Sequence, residues 1–114
     1  MSRLIAMSVP ILPNKTEEWK KFSSELKGSR HKDFCESRKK LGVRERSFLQ
    51  QTPHGDFVIV TLEGENPEAA FAGFASGADD FTKWFMESVK VIHGMDLSAP
   101  PPGPMPELIV DSGA

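Results

Sequence analysis

The chain has 114 residues, of which 26% are charged, and its formal net charge is -2 at pH 7. That length suits one domain, and without a basic excess the chain has little to hold a phosphate backbone. No stretch approaches the roughly 20 apolar residues of a membrane span, and the first residues lack the pattern of a secretory signal. The single cysteine, Cys35, allows no internal disulfide. We therefore expect one cytoplasmic domain covering residues 1–114, with neither nucleic acid nor membrane as a partner.

The first predicted strand covers residues 3–12, RLIAMSVPIL, in which both alternating sets of side chains are apolar. This pattern is typical of a strand that is buried on both faces. Asn14 then stands where a helix cap is expected. The helix that follows has an apolar stripe formed by Trp19, Phe22 and Leu26.

The next segment, residues 29–41, is polar and basic, and it has only Phe34, Cys35 and Leu41 to bury. It predicts a second helix that lies at the surface and contains a buried thiol. Gly42 follows it, as glycine commonly does just past the end of a helix.

A β-hairpin is predicted for residues 43–63, with its turn at residues 53–55. Residues 57–62 are apolar almost without a break and predict a central strand, whereas the charged first strand predicts an edge. Two registers are open: Phe48 stands opposite Val60, or Arg44 stands opposite Glu63. We favour the second, because opposite charges directly across a ladder stabilise it.

Two more helices are predicted after the hairpin. The first opens at Asn66, with Asn66 as its cap, and ends at residues 76–77. Asp79 or Asp80 caps the second and longest helix, which Gly94 closes. Its apolar face comprises Phe81, Trp84, Phe85, Ser88, Val89 and Ile92. A proline-rich strap at residues 98–106 and a short strand at residues 107–111 complete the chain.

The element order predicts an α+β domain of ferredoxin-like split βαβ type (βαββαβ), with an antiparallel sheet whose first and third strands lie in the middle. The chain resembles the dimeric α/β-barrel superfamily, which includes antibiotic-biosynthesis monooxygenase-like proteins. The resemblance covers residues 3–94 and rests on the element order and on the hairpin at residues 42–63. It implies a dimer with a pocket between sheet and helices, and it implies no fixed activity. No catalytic motif of the cofactor-free monooxygenases is matched residue by residue.

The helices of a split βαβ domain cover one face of the sheet, yet both side-chain sets of the central strands are apolar. An open sheet of that kind is too large an apolar patch for a soluble monomer, so we expect a homodimer that packs sheet on sheet.

Five residues are candidates for binding a ligand. Arg44 and Arg46 point the same way from one strand and either hold an anionic oxygen or pair with Glu63 or Glu65 across the hairpin. His93, in the last turn of a helix, is favoured there as a cation that caps the helix, with proton transfer as the alternative. The remaining candidates are Trp84, which belongs to the core or walls a cavity, and His31.

His31 and Cys35 share one helix face, but a metal site needs three or four convergent ligands, so we expect no metal. The leading hypothesis is a cofactor-free homodimer whose pocket binds a small apolar or aromatic molecule. One alternative is a cofactor-independent oxygenase or isomerase in which Arg46, His93 or His31 positions an anionic intermediate. The other is a structural or partner-binding dimer with a filled interior.

Overall fold

The computed structural model describes residues 2–99 and 103–113. The chain folds as a small α+β domain with a three-stranded antiparallel sheet and four helices. The elements in order are β1 Arg3–Pro10, α1 Thr16–Lys27, α2 His31–Leu41, β2 Val43–Thr52, β3 Gly55–Gly64, α3 Ala69–Ser76 and α4 Asp80–His93. No helix within the described ranges is long and apolar enough to cross a membrane.

The sheet has the strand order β1-β3-β2, so β3 is central and β2 lies at an edge, as predicted. The prediction that β1 also lies in the middle is wrong for the chain as described, because β1 pairs with β3 alone. The predicted strand at residues 107–111 is not formed either. A run of apolar residues becomes a strand only where another strand accepts its hydrogen bonds, and the composition of this run does not specify such a neighbour.

The hairpin register is the one that we favoured. Arg44 stands opposite Glu63 and Gln51 opposite Asp56. Thr52 and Gly55 also pair, so the loop between the strands contains only residues 53–54. Gly55 has a φ of 134°, a backbone conformation that glycine adopts far more readily than residues with a side chain. The two-residue loop therefore determines which side chains of β2 face the helices.

Helix ends agree with the predictions at four places, among them the end of α3 at Ser76 before Gly77, and differ at two. Asp79 caps α4 by accepting a hydrogen bond from the Thr82 backbone N–H at 3.0 Å. Gly42 and Gly94 end α2 and α4 in the left-handed conformation. Asn14 is not a cap: its φ is 67°, whereas a capping residue adopts extended backbone, and α1 begins at Thr16.

The second difference is at α3, which begins at Ala69 and has no side-chain cap. Asn66 contributes its backbone carbonyl, which accepts a hydrogen bond from the Ala69 N–H.

The core lies between the sheet and the helices. Val58 and Leu62 of β3 are buried against it, and the predicted apolar face of α4 is confirmed as the main helical contribution. The buried rings are Phe22, Phe74, Phe81 and Phe85. Because side chains alternate along a strand, the other set of each strand points to the opposite face of the sheet, which no helix covers among the residues described.

Candidate ligand-binding site

A cavity of about 100 Å³ lies between the sheet and the helices. Its walls are mostly apolar and come from all three strands and from α1, α3 and α4, with Val60 and Phe22 on facing sides. An apolar cavity of roughly 150 Å³ can hold a benzene ring, so this space is of the size that a few heavy atoms occupy.

A wider cleft of about 780 Å³ continues from this cavity toward the surface. Pro10, Gly94 and residues 103–106 of the predicted strap line its outer part. The two spaces share lining residues, so they lie next to each other. The shared residues are Met7, Val9, Phe71, His93, Met95 and Leu97. The volume of the cleft is in the range that small-molecule sites have.

His93 lines both the cavity and the cleft. Its Nδ1 lies 2.9 Å from the backbone carbonyl oxygen of Pro10, to which an Nδ1–H donates a hydrogen bond. The neutral ring then carries its lone pair on Nε2, for which the described part of the chain provides no partner. Burial lowers the pKa of His93 below its ordinary value of 6.5 and outweighs the Pro10 hydrogen bond, which raises the pKa.

The His93 side chain therefore donates to Pro10 and not to a carbonyl group of α4, while its charge as a cation stays a prediction. At the end of α4, the carbonyl oxygen of Lys90 accepts a hydrogen bond from the backbone N–H of Gly94 at 2.9 Å. The carbonyl oxygen of Ile92 accepts one from the backbone N–H of Leu12 at 2.9 Å. Burial of the imidazole penalises its charged form, and this effect exceeds that of the hydrogen bond to Pro10, which favours the charged form.

A buried ion pair forms part of the wall and was missed by sequence reasoning. Arg38 Nε donates to Glu45 Oε1 at 2.7 Å, and the two side chains are only 5% and 7% exposed. Glu45 contacts the cavity directly. A signal was present, because Arg38 follows Phe34 by four residues and precedes Leu41 by three, which places it on the apolar side of α2.

Arg44 and Arg46 point away from the cavity. They alternate with Glu45 along β2, so their side chains lie on the uncovered face of the sheet. Arg46 Nη1 lies 3.3 Å from Glu63 Oε1 across the hairpin, which is the pairing that the sequence left open. Neither arginine lies where it could contact a ligand between the sheet and the helices of its own chain.

Trp84 packs in the aromatic core rather than against the cavity. Its ring centroid lies 5.1 Å from that of Phe22, and the Arg30 guanidinium lies 4.1 Å from its ring centroid. Trp19, which sequence reasoning assigned first to the core, lines the cavity.

His31 lies at the surface of α2, away from the cavity. Its Nδ1 donates to the Leu26 carbonyl oxygen at 3.0 Å, and its Nε2 lies 3.5 Å from Cys35 Sγ. The prediction of a buried thiol is wrong, since Cys35 is exposed. Within residues 2–99 and 103–113, no three histidine, cysteine, aspartate or glutamate side chains come together as metal ligands.

No protein-family model, curated protein or solved structure matches this chain. The resemblance to the dimeric α/β-barrel superfamily therefore stays a prediction that rests on element order. The function has to be argued from the geometry of the cavity itself.

Proposed function

We propose that the protein binds a small apolar or aromatic molecule in the cavity between its sheet and its helices. The observation that carries this proposal is the apolar cavity between sheet and helices, which lies next to the 780 Å³ cleft and shares His93 with it. A purely structural role favours an interior that is packed shut, because empty apolar space costs stability.

The composition of the walls supports an apolar ligand. Val58, Val60 and Leu62 form the floor on the sheet, and Phe22 and Phe85 stand above them on the helices. Polar groups are few, as in most small-molecule sites, where they orient the ligand rather than supply the bulk of its affinity.

Titration with toluene, followed through ¹H–¹⁵N chemical shifts, tests this proposal. We expect saturable shifts confined to residues that line the cavity. Val60→Phe places a ring in the cavity and should abolish these shifts, while Lys83→Phe, on the exposed side of α4, should leave them unchanged. Shifts that spread over the surface, or that persist in Val60→Phe, would contradict binding in this cavity.

We also propose that the subunit forms a homodimer through the uncovered face of its sheet, as in the ferredoxin-like arrangement that the resemblance implies. Phe48 is 53% exposed and stands opposite the half-buried Ile59, and Leu4 on the same face is 44% exposed. Arg44 and Arg46 lie beside Glu63 at one end of this face, so a two-fold axis can bring opposite charges together. Sedimentation equilibrium tests the dimer: Phe48→Glu should give a folded monomer, and a monomeric wild-type protein would refute it.

One observation favours catalysis as a second candidate function. Among the described residues His93 Nε2 has no hydrogen-bond partner, and burial lowers the pKa of the ring, which favours the neutral form that a general base needs. In D₂O, exchange of the α-protons of 1-indanone, followed by NMR, should be faster with the protein than in buffer. His93→Asn, which can keep the bond to Pro10, should lose the acceleration. Exchange at the buffer rate would remove this candidate.

A further inference from the structure

The cavity contains one carboxylate, that of Glu45. Its neighbours along β2 that also face the helices are Val43 and Ser47. The Glu45 side chain is 93% buried, since only 7% of it is exposed, and it nevertheless lines the cavity. A buried carboxylate needs hydrogen-bond donors around both of its oxygens, because an unsatisfied charged group in the interior is costly.

Among the described residues, only one of the two carboxylate oxygens of Glu45 accepts a hydrogen bond. Oε1 accepts the hydrogen bond from Arg38 Nε at 2.7 Å. Among residues 2–99 and 103–113, no donor lies within hydrogen-bond distance of Oε2. This oxygen is also not fully enclosed by the protein. We take Oε2 as the oxygen that a ligand in the cavity would reach, because Glu45 lines the cavity and Oε2 is not fully enclosed.

Arg38 donates no hydrogen bond to the second oxygen, since its Nε binds Oε1 and its Nη1 binds the Ser37 hydroxyl. Its guanidinium is enclosed by aromatic rings, with the carbon Cζ 4.8 Å from the centroids of Phe34 and Phe74 and 4.4 Å from that of Phe85. Its Nη2 is buried without a hydrogen-bond partner, so the packing holds the side chain in a position where one of its donors remains unused.

The charge of the pair determines which donor fits. The guanidinium and the carboxylate cancel each other, so an ammonium group placed at Oε2 would leave one uncompensated positive charge in the interior. A hydroxyl or a neutral N–H gives the carboxylate a charge-assisted hydrogen bond and adds no charge. We infer that the ligand is an apolar or aromatic molecule with one neutral hydroxyl or N–H donor, which binds Glu45 Oε2. This inference rests on the proposed function of the cavity.

Four probes of similar size test the inference on the whole protein: phenol, toluene, anisole and benzylammonium. Phenol has a neutral donor, toluene has no polar group, anisole has an acceptor alone, and benzylammonium has a charged donor. Dissociation constants come from chemical-shift titration. In the wild type we expect phenol to bind about tenfold more tightly than anisole, the change that one hydrogen bond to a charged group supplies.

In each variant, the dissociation constant of phenol is divided by that of toluene, and this ratio is compared with the ratio in the wild type. The paired change Arg38→Met with Glu45→Met replaces the ion pair by apolar side chains of similar length. It should raise that ratio about tenfold, because phenol loses its hydrogen bond and toluene does not. Glu63→Gln is the matched control, because Glu63 also pairs with an arginine but lies on the other face of the sheet. It should leave the ratio unchanged.

The outcomes separate the two proposals. If toluene and phenol both fail to bind the wild type, the proposed function fails and the inference with it. If both bind, but phenol is no tighter than anisole or benzylammonium is the tightest probe, only the inference is overturned. The wild-type comparison of phenol with anisole decides the matter even if the paired variant does not fold.

Discussion

Arg38 and Glu45 form an ion pair that connects α2 to β2 inside the core, with Nε 2.7 Å from Oε1 and with side chains 5% and 7% exposed. A turn at Gly42 separates the two elements, so the pair stabilises the angle at which α2 lies on the sheet. Glu45 of this pair also supplies the one carboxylate that lines the mostly apolar cavity.

Removal of one partner should be far more damaging than removal of both. Arg38→Met leaves the Glu45 carboxylate buried without its donor, and we expect it to lower the free energy of unfolding by about 3–5 kcal/mol. Adding Glu45→Met to that variant should recover most of the loss, because an apolar pair has no charge to solvate. Urea denaturation measures both. Equal losses in the single and double variants would mean that the pair contributes through its shape alone.

Stability should decrease as the pH falls below about 6.5 because of His93. Burial depresses its pKa in the folded protein below the ordinary value of 6.5, so between the folded pKa and 6.5 the unfolded chain binds more protons. The contribution of the neutral His93 ring to the free energy of unfolding is therefore complete above pH 6.5. It is lost as the pH falls through the pKa that His93 has in the folded protein. His93→Asn can retain a donor to Pro10 and should have a flatter dependence in this window. Urea denaturation at a series of pH values compares the two proteins, and parallel curves would contradict the depressed pKa.

The cap of α4 should contribute a measurable part of the stability. Asp79 accepts hydrogen bonds from the Thr82 N–H at 3.0 Å and from the Thr82 hydroxyl at 2.8 Å. Asp79→Ala should cost about 1 kcal/mol, the typical value for the loss of an N-cap. Asp80→Ala, at the next position, removes no cap and serves as the control. Thermal and urea unfolding would show a similar loss in both variants if capping were unimportant.

The same cap predicts an acid-dependent loss of stability. The hydrogen bonds from Thr82, first from its backbone and then from its hydroxyl, lower the pKa of Asp79 below its ordinary value of 3.8. The contribution of the charged carboxylate is present above 3.8 and is lost as the pH falls through the folded pKa. The stability difference between the wild type and Asp79→Asn should shrink in that range. A constant difference would show that the charge of Asp79 has no role.

The exposed segment after the cleft should contribute to dimer formation. Leu108, Ile109 and Val110 are 55%, 79% and 86% exposed, which is unusual for three consecutive apolar side chains. If they pack on a second subunit, a chain that ends after Pro106 should have a dimer dissociation constant at least about tenfold higher. A chain that ends after Asp111 keeps these residues and serves as the control. Equal constants for the two truncated chains would place the segment outside the dimer interface.

Periodicity predicted the parts of this fold that depend on local sequence. The apolar spacing of α4, the glycines after α2 and α4, the cap at Asp79 and the hairpin register through Arg44 and Glu63 are all confirmed. Each depends on neighbours within a turn or a hairpin. The cap at Asn14 failed because asparagine is equally suited to the left-handed turn conformation that it adopts here.

The candidate site was harder to predict because it depends on contacts between distant elements. A single strand alternates its side chains, but only the sheet and its helices determine that Glu45 faces the cavity and Arg46 does not. His93 illustrates the same limit. Its position at a helix end indicated a cation, whereas burial against Pro10 and the cleft decides that the neutral ring is favoured.

By itself, the sequence determined the class of this domain, its helices and the pairing of its hairpin, because these follow from hydrophobic period, turn chemistry and charges close along the chain. Tertiary structure alone decided that β1 lies at an edge, that residues 107–111 stay outside the sheet and that Arg38 and Glu45 meet in the core. The physical reason is that burial, and with it the state of every polar group in the cavity, arises only when separate elements exclude water together.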